Sequence, residues 1–162
     1  MKECEAIRNH SSYVKYYKKL KKAEMDRIFC RHQMSHYLNV ARIAYIYNLE
    51  QNLGFRKEVI YAASILHDIG KYKQYKKKIP HEIASAEIAE EILGDLPEEY
   101  FSEEEKGQIV EAILEHRKMK SEMSELGRIL YISDKKSRAC YMCPAEKECD
   151  WSAEKKNMEI EI

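Results

Sequence analysis

Four histidines and two aspartates carry most of the chemistry open to this chain of 162 residues. His67 and Asp68 stand side by side at the end of an apolar run and are followed by Ile69, Gly70 and Lys71. His36 lies upstream, and His81, His116 and Asp134 lie downstream. Imidazole and carboxylate together suit Fe, Mn, Zn, Co or Ni, not calcium. Six ligands exceed what one catalytic ion takes from protein while keeping positions open for water. Two divalent ions bridged by a carboxylate fit better, and Asp68 is the natural bridge. Ions ~3.5–4 Å apart generate hydroxide and clamp a phosphoryl group.

Helical periodicity aims these groups inward. Residues four and seven apart share one helix face. His36 lies on a stripe with Val40, Ile43 and Tyr47, and His67 continues the stripe of Val59, Ile60 and Ala63. His81 lies above Ala84, Ser85, Ile88 and Ile92; His116 follows Ile109, Ala112 and Ile113; Asp134 follows Leu126 and Leu130. A buried imidazole is satisfied by one hydrogen bond. A buried unpaired carboxylate costs several kcal/mol and needs a partner charge or a metal. Asp68 and Asp134 share that need, and one or two cations meet it.

The elements that must position these residues are helices. Five glycines, three prolines and no strand-like alternation indicate an all-α domain. The pattern predicts helices at about 12–29, 33–51, 56–68, 81–93, 104–118 and 124–139. Gly54 marks a helix end, Pro80 a helix start, and Ser102 to Glu105 a capping box. The lysine- and tyrosine-rich segment 71–80 reads as a loop, as does 94–101. Residues 1–139 form one domain, and 140–162 form a cysteine-containing appendage.

Composition removes several function classes. Lys and Arg number 28 and Asp and Glu number 28, so the net charge is zero. Such a surface has no general pull toward nucleic acid or anionic membrane. The basic, aromatic run Lys15 to Lys22 reads as a solvated helix face. The longest apolar stretch, 59–66, falls far short of the ~20 residues of a membrane span. No apolar signal segment opens the chain, so the expected compartment is the cytoplasm.

The ordered set resembles the HD-domain superfamily of metal-dependent phosphohydrolases. The resemblance rests on His36 in His-Tyr-Leu-Asn-Val-Ala-Arg, on Leu66-His67-Asp68-Ile69-Gly70-Lys71, and on His81 in His-Glu-Ile-Ala-Ser-Ala. His116 in Ile-Leu-Glu-His-Arg and Asp134 in Tyr-Ile-Ser-Asp-Lys complete it. The family implies a helical bundle and a first metal on His36, His67, Asp68 and Asp134. In its two-metal members Asp68 bridges, and His81 and His116 complete the second site. The ligand order is closest to the bacterial dinucleoside-tetraphosphate hydrolases. The implied substrate is a small phosphorylated metabolite such as a nucleotide. The Gly-Tyr-Pro signature of cyclic-di-guanylate HD enzymes is absent. Two other readings share the ligands: a di-iron HD oxygenase, and a non-catalytic metal-containing binding module.

Three further residues are candidates for substrate contact. Lys71, one turn past His67, can bind a phosphate oxygen or stabilise developing charge. Arg138, one turn past Asp134, offers a guanidinium fork to phosphate. His32, one turn before His36, can line the cleft. Cys140, Cys143 and Cys149 place three thiols within ten residues. Zinc or an iron–sulfur cluster takes four, so Cys30 or Cys4 would have to join them. The alternative is a set of reduced thiols packed around Trp151. The sequence leaves open whether the chain forms a homo-oligomer.

Overall fold

The computed structural model describes residues 1–160; the last two residues of the predicted appendage lie outside the described residues. Eight α-helices make up the described chain: α1 Lys2–Asn9, α2 Ser11–Ala23, α3 Met34–Glu50, α4 Lys57–Leu66, α5 Lys71–Lys77, α6 His81–Gly94, α7 Glu103–Glu115 and α8 Glu125–Lys136. Single 3-10 turns follow at Cys140–Met142 and Ala153–Lys155. The all-α expectation is met.

The helix α4 is the axis of the bundle. Val59, Ile60 and every residue from Ala62 to Leu66 are buried, and α1, α3, α6, α7 and α8 pack around them. Such a helix, apolar nearly all round, suits only a central position. Its neighbours bury one stripe each: Tyr37, Val40 and Ala44 from α3, Ile88 and Ile92 from α6, Ile109 and Ile113 from α7, Ile129 and Leu130 from α8.

Local signals explain the helix ends. Ser102 Oγ accepts from the Glu105 amide at 3.2 Å while Glu105 Oε2 accepts from the Ser102 amide at 2.8 Å, the reciprocal box expected there. Pro80 occupies the N-cap of α6. Gly54 has φ +79° in the turn after α3, a conformation that suits glycine.

Two expectations are corrected. The segment 71–80 is not a loop throughout, because 71–77 forms α5. Nothing in 71–77 breaks a helix, and Tyr72 and Tyr75 pack against the core. The helix stops only where Lys78 turns left-handed at φ 60°, before Pro80. The predicted helix 12–29 ends at Ala23, and α1 precedes it. The sequence hides α1 because only Ile7 of its apolar residues is fully buried. Beyond Ala23 the Glu24 carboxylate is held by groups eight residues on, which turns the chain away from helix.

Candidate metal centre

Five helices deliver the six ligand candidates to one point. His36 comes from α3, His67 and Asp68 from the turn ending α4, His81 from the first residue of α6, His116 from the C-cap of α7 and Asp134 from α8. All six are buried. Asp68 sits between two histidine sets. Its Oδ2 lies 3.2 Å from His67 Nε2 and 4.0 Å from His36 Nε2. Its Oδ1 lies 3.4 Å from His81 Nε2 and 3.7 Å from His116 Nε2. Asp134 Oδ1 completes the first set at 3.2 Å from His36 Nε2 and 3.7 Å from His67 Nε2. Ligand atoms of His36, His67, Asp68 and Asp134 lie within 4.8 Å of one another, as do those of Asp68, His81 and His116.

The turn 67–70 fixes the place of Asp68. A Cβ on Gly70 would lie 2.5 Å from the backbone carbon of Ala84 and 2.5 Å from the backbone nitrogen of Ser85. Only glycine lets this turn press on α6, where the Gly70 amide donates to Ser85 Oγ at 2.9 Å. That contact brings His81 to Asp68.

Each histidine is oriented through its other nitrogen. His67 Nδ1 donates to the Ser64 carbonyl at 2.6 Å, and His116 Nδ1 to the Ile113 carbonyl at 2.6 Å. His81 Nδ1 donates to Gln74 Oε1 at 2.6 Å. Ser137 Oγ donates to the Asp134 carbonyl at 2.7 Å, so it accepts from His36 Nδ1 at 3.0 Å. With Nδ1 so engaged, Nε2 is the ring atom that each histidine turns to the centre, the posture of a metal-ligating imidazole.

Protonation agrees. Burial lowers the pKa of His36 to about 3, with Arg138 adding to the effect, and burial lowers that of His81 to about 2. Burial also lowers His116. Burial opposes charge on His67, but Asp68 and Asp134 outweigh it and raise the group to about 9. Burial works against ionised Asp68 too, yet Lys71, His32 and His67 hold it well below the usual carboxylate range. Asp134 is held low against burial by Lys135, His36 and His67.

The residues fit a metal. His67 Nε2, Asp68 Oδ1 and Asp134 Oδ1 are buried without hydrogen-bond partners, a costly state that a cation relieves. His81 Nε2 and His116 Nε2 face each other at 3.1 Å, where two neutral lone pairs repel unless a cation lies between. Two ligands bound at ~2.1 Å and at right angles on one ion stand about 3 Å apart, close to the shorter separations here.

The remaining candidates fall around this centre. Lys71 Nζ lies 3.7 Å from Asp68 Oδ1. Arg138 turns inward: its Nη2 donates to His36 Nε2 at 2.8 Å and lies 3.5 Å from Asp134 Oδ1. His32 is buried, with Nε2 3.4 Å from Asp68 Oδ2 and Nδ1 bonded to Glu24. Lys71, Arg138 and His32 line one cavity, and Cys140, Cys143 and Cys149 line it from the tail. Cys30 joins the three thiols there; Cys4 packs against the core from α1 instead. Glu24 and Gln74 escaped the sequence reading. Glu24 has no helical register with His32, and Gln74 fell in the segment read as a loop. Ser137, three residues past Asp134, was legible from helical spacing.

Residues 34–139 match the HD domain family. The chain belongs to the HD-domain family. A relative of this HD protein is an uncharacterised protein of Clostridium beijerinckii, 48% identical over 160 residues that cover 99% of each chain. A crystal structure of a predicted HD superfamily hydrolase from an uncultured Thermotogales bacterium shares the fold. It aligns with a TM-score of 0.62 at 20% identity and covers 90% of this chain and 81% of the other. The buried His/Asp cluster of this HD domain is of the kind that holds a divalent metal. Among the described residues no helix is long and apolar enough to cross a membrane.

Proposed function

We propose that this HD protein is a metal-dependent phosphohydrolase with two metal sites, cleaving a phosphoester or phosphoanhydride of a nucleotide or other small phosphorylated metabolite. The observation that carries this reading is the division of Asp68, with one oxygen toward His36 and His67 and the other toward His81 and His116. His36, His67, Asp68 and Asp134 would hold the first ion, and Asp68, His81 and His116 the second. Divalent ions supply an acidified water and Lewis-acid polarisation of a phosphoryl oxygen. The protein supplies the rest. Lys71 offers an ammonium at the cavity edge to a phosphate oxygen. Arg138, buried beside Asp134, offers its guanidinium to the same anion. His32 is held by Glu24, which in turn accepts from Tyr75 Oη at 2.8 Å, so its Nε2 keeps a fixed place beside Asp68.

The test is an anaerobic screen of phosphate release from nucleotides and sugar phosphates, with Fe, Mn, Zn, Co or Ni added. Metal-dependent release that Asp68→Ala abolishes supports the reading. Release that survives Asp68→Ala removes the bridging role. Substrate turnover coupled to oxygen consumption, without phosphate release, would assign the chain to the oxygenases instead.

A further inference from the structure

The tail carries chemistry that hydrolysis does not use. Cys140, Cys143 and Cys149 come from the segment after α8, and Cys30 from the irregular stretch between α2 and α3, 110 positions before Cys140 in the sequence. All four line one cavity of about 80 Å³. All four are free thiols, and Cys140 is buried. Bonds within the tail fix the geometry. Asn157 Nδ2 donates to the carbonyls of Lys136 and Arg138 at 3.0 and 2.9 Å. Lys156 Nζ donates to the Glu146 carbonyl at 3.0 Å and to its carboxylate at 2.7 Å. Successive turns place the Cys143 amide on the Cys140 carbonyl and the Glu146 amide on the Cys143 carbonyl, both at 3.1 Å.

This tail has almost no core. Among the described residues beyond Cys140, only Ala145 is a buried apolar residue. A short segment with two isolated 3-10 turns cannot stabilise one fold by apolar burial, and natural proteins of this kind use a metal or a cross-link. Four thiols from two distant segments are the available cross-link.

Spacing and charge select the occupant. A tetrahedral zinc at a Zn–S distance of ~2.3 Å would draw its sulfurs to within about 4 Å of one another. Among the described residues, only the His/Asp groups bring three ligand atoms within 4.8 Å; no three of these thiols do. A four-iron cluster binds each thiolate at a separate corner and so holds them further apart. A cluster with four thiolates is anionic, and the cations Arg27, Lys71, Arg138 and Lys156 outnumber the carboxylates Glu146 and Asp150 in the same cavity lining, with Phe29 and Trp151 as apolar cover.

We propose that Cys30, Cys140, Cys143 and Cys149 hold a four-iron, four-sulfide cluster that ties the tail to the 24–33 segment beside the His/Asp centre. The cluster and the His/Asp centre use different metal ligands, though Lys71 and Arg138 line the cavity between them. Full-length protein is purified anaerobically from cells grown with added iron and cysteine, and iron, zinc and acid-labile sulfide are counted per chain. The expected result is about four sulfides per chain with a brown absorbance near the visible edge. That sulfide should be lost in Cys143→Ser and in Cys30→Ser and kept in Cys4→Ser and in Asp68→Ala. Circular dichroism of the variants separates cluster loss from unfolding. Zinc without sulfide, four freely titrating thiols, a disulfide among the four, or sulfide retained by a folded Cys30→Ser would each overturn the proposal.

Discussion

Gly70→Ala tests whether the turn after the His-Asp pair sets the distance between the two halves of the centre. The added Cβ would lie 2.5 Å from two backbone atoms, Ala84 C and Ser85 N, and 2.8 Å from Ala84 Cβ. Ordinary carbon contacts lie at ~3.5–4.0 Å, so α6 and the turn must separate by about 1 Å. Backbone cannot rotate away as a side chain can. Overpacking of this kind costs ~1–3 kcal/mol, and weakening the buried Gly70 to Ser85 hydrogen bond adds about 1 kcal/mol. The sum, roughly 2–4 kcal/mol, corresponds to a drop in Tm of about 5–15 °C for a chain of this size. Because His81 opens α6, the same movement draws its Nε2 away from Asp68 Oδ1. The variant should then bind metal at the His81/His116 pair at least tenfold more weakly. The assay is differential scanning calorimetry of the metal-free protein, followed by titration with Mn or Zn. Gly107→Ala is the control: a Cβ there meets nothing within 4 Å, and α7 should gain about 1 kcal/mol. A Gly70→Ala protein with unchanged Tm and unchanged metal affinity would refute the reasoning.

Gln74→Ala removes the acceptor of His81 Nδ1 and should weaken metal binding ~10–100-fold without abolishing it, read by competition against a chelator. Lys71→Ala should raise KM for a phosphorylated substrate more than it lowers metal content, read by steady-state kinetics and metal analysis. Metal-free protein should lose stability as pH falls. His36 and His81 stay neutral in the fold down to about 3 and about 2, whereas unfolded histidine binds a proton near pH ~6.5. Their contribution is therefore present above ~6.5 and shrinks as pH drops below it. His67, raised to about 9, acts in the opposite sense and is lost only as pH rises through that value. Thermal melts from pH 8 to 4 should show Tm falling below pH ~6.5, and a flat profile over pH 7 to 5 would contradict this. Saturating metal should raise Tm at pH 7 and chelation reverse it.

The buried His/Asp cluster was legible because its signal is local. His36, His67, His81, His116 and Asp134 each continue an apolar stripe of their own helix, so periodicity alone aims them inward. Their meeting at one point depends on how five helices cross, which the stripes imply without measuring. Asp68 was legible as a member of the cluster from its neighbour His67, but the division of its two oxygens needed three dimensions. Glu24 and Gln74 were not legible, since each acts across an irregular connection where no period runs. Helix α5 was misread because lysine and tyrosine are read as loop-forming when no apolar stripe accompanies them. The choice of Cys30 over Cys4 was open for the same reason: only the path of the chain between α2 and α3 brings Cys30 to the tail.

The most direct measurement is an anomalous-scattering difference map of crystals loaded with manganese. Two peaks flanking Asp68 are predicted, one within coordination distance of His36, His67 and Asp134 and the other of His81 and His116. A single peak, or none at the His81/His116 side after saturating load, would contradict the two-metal account.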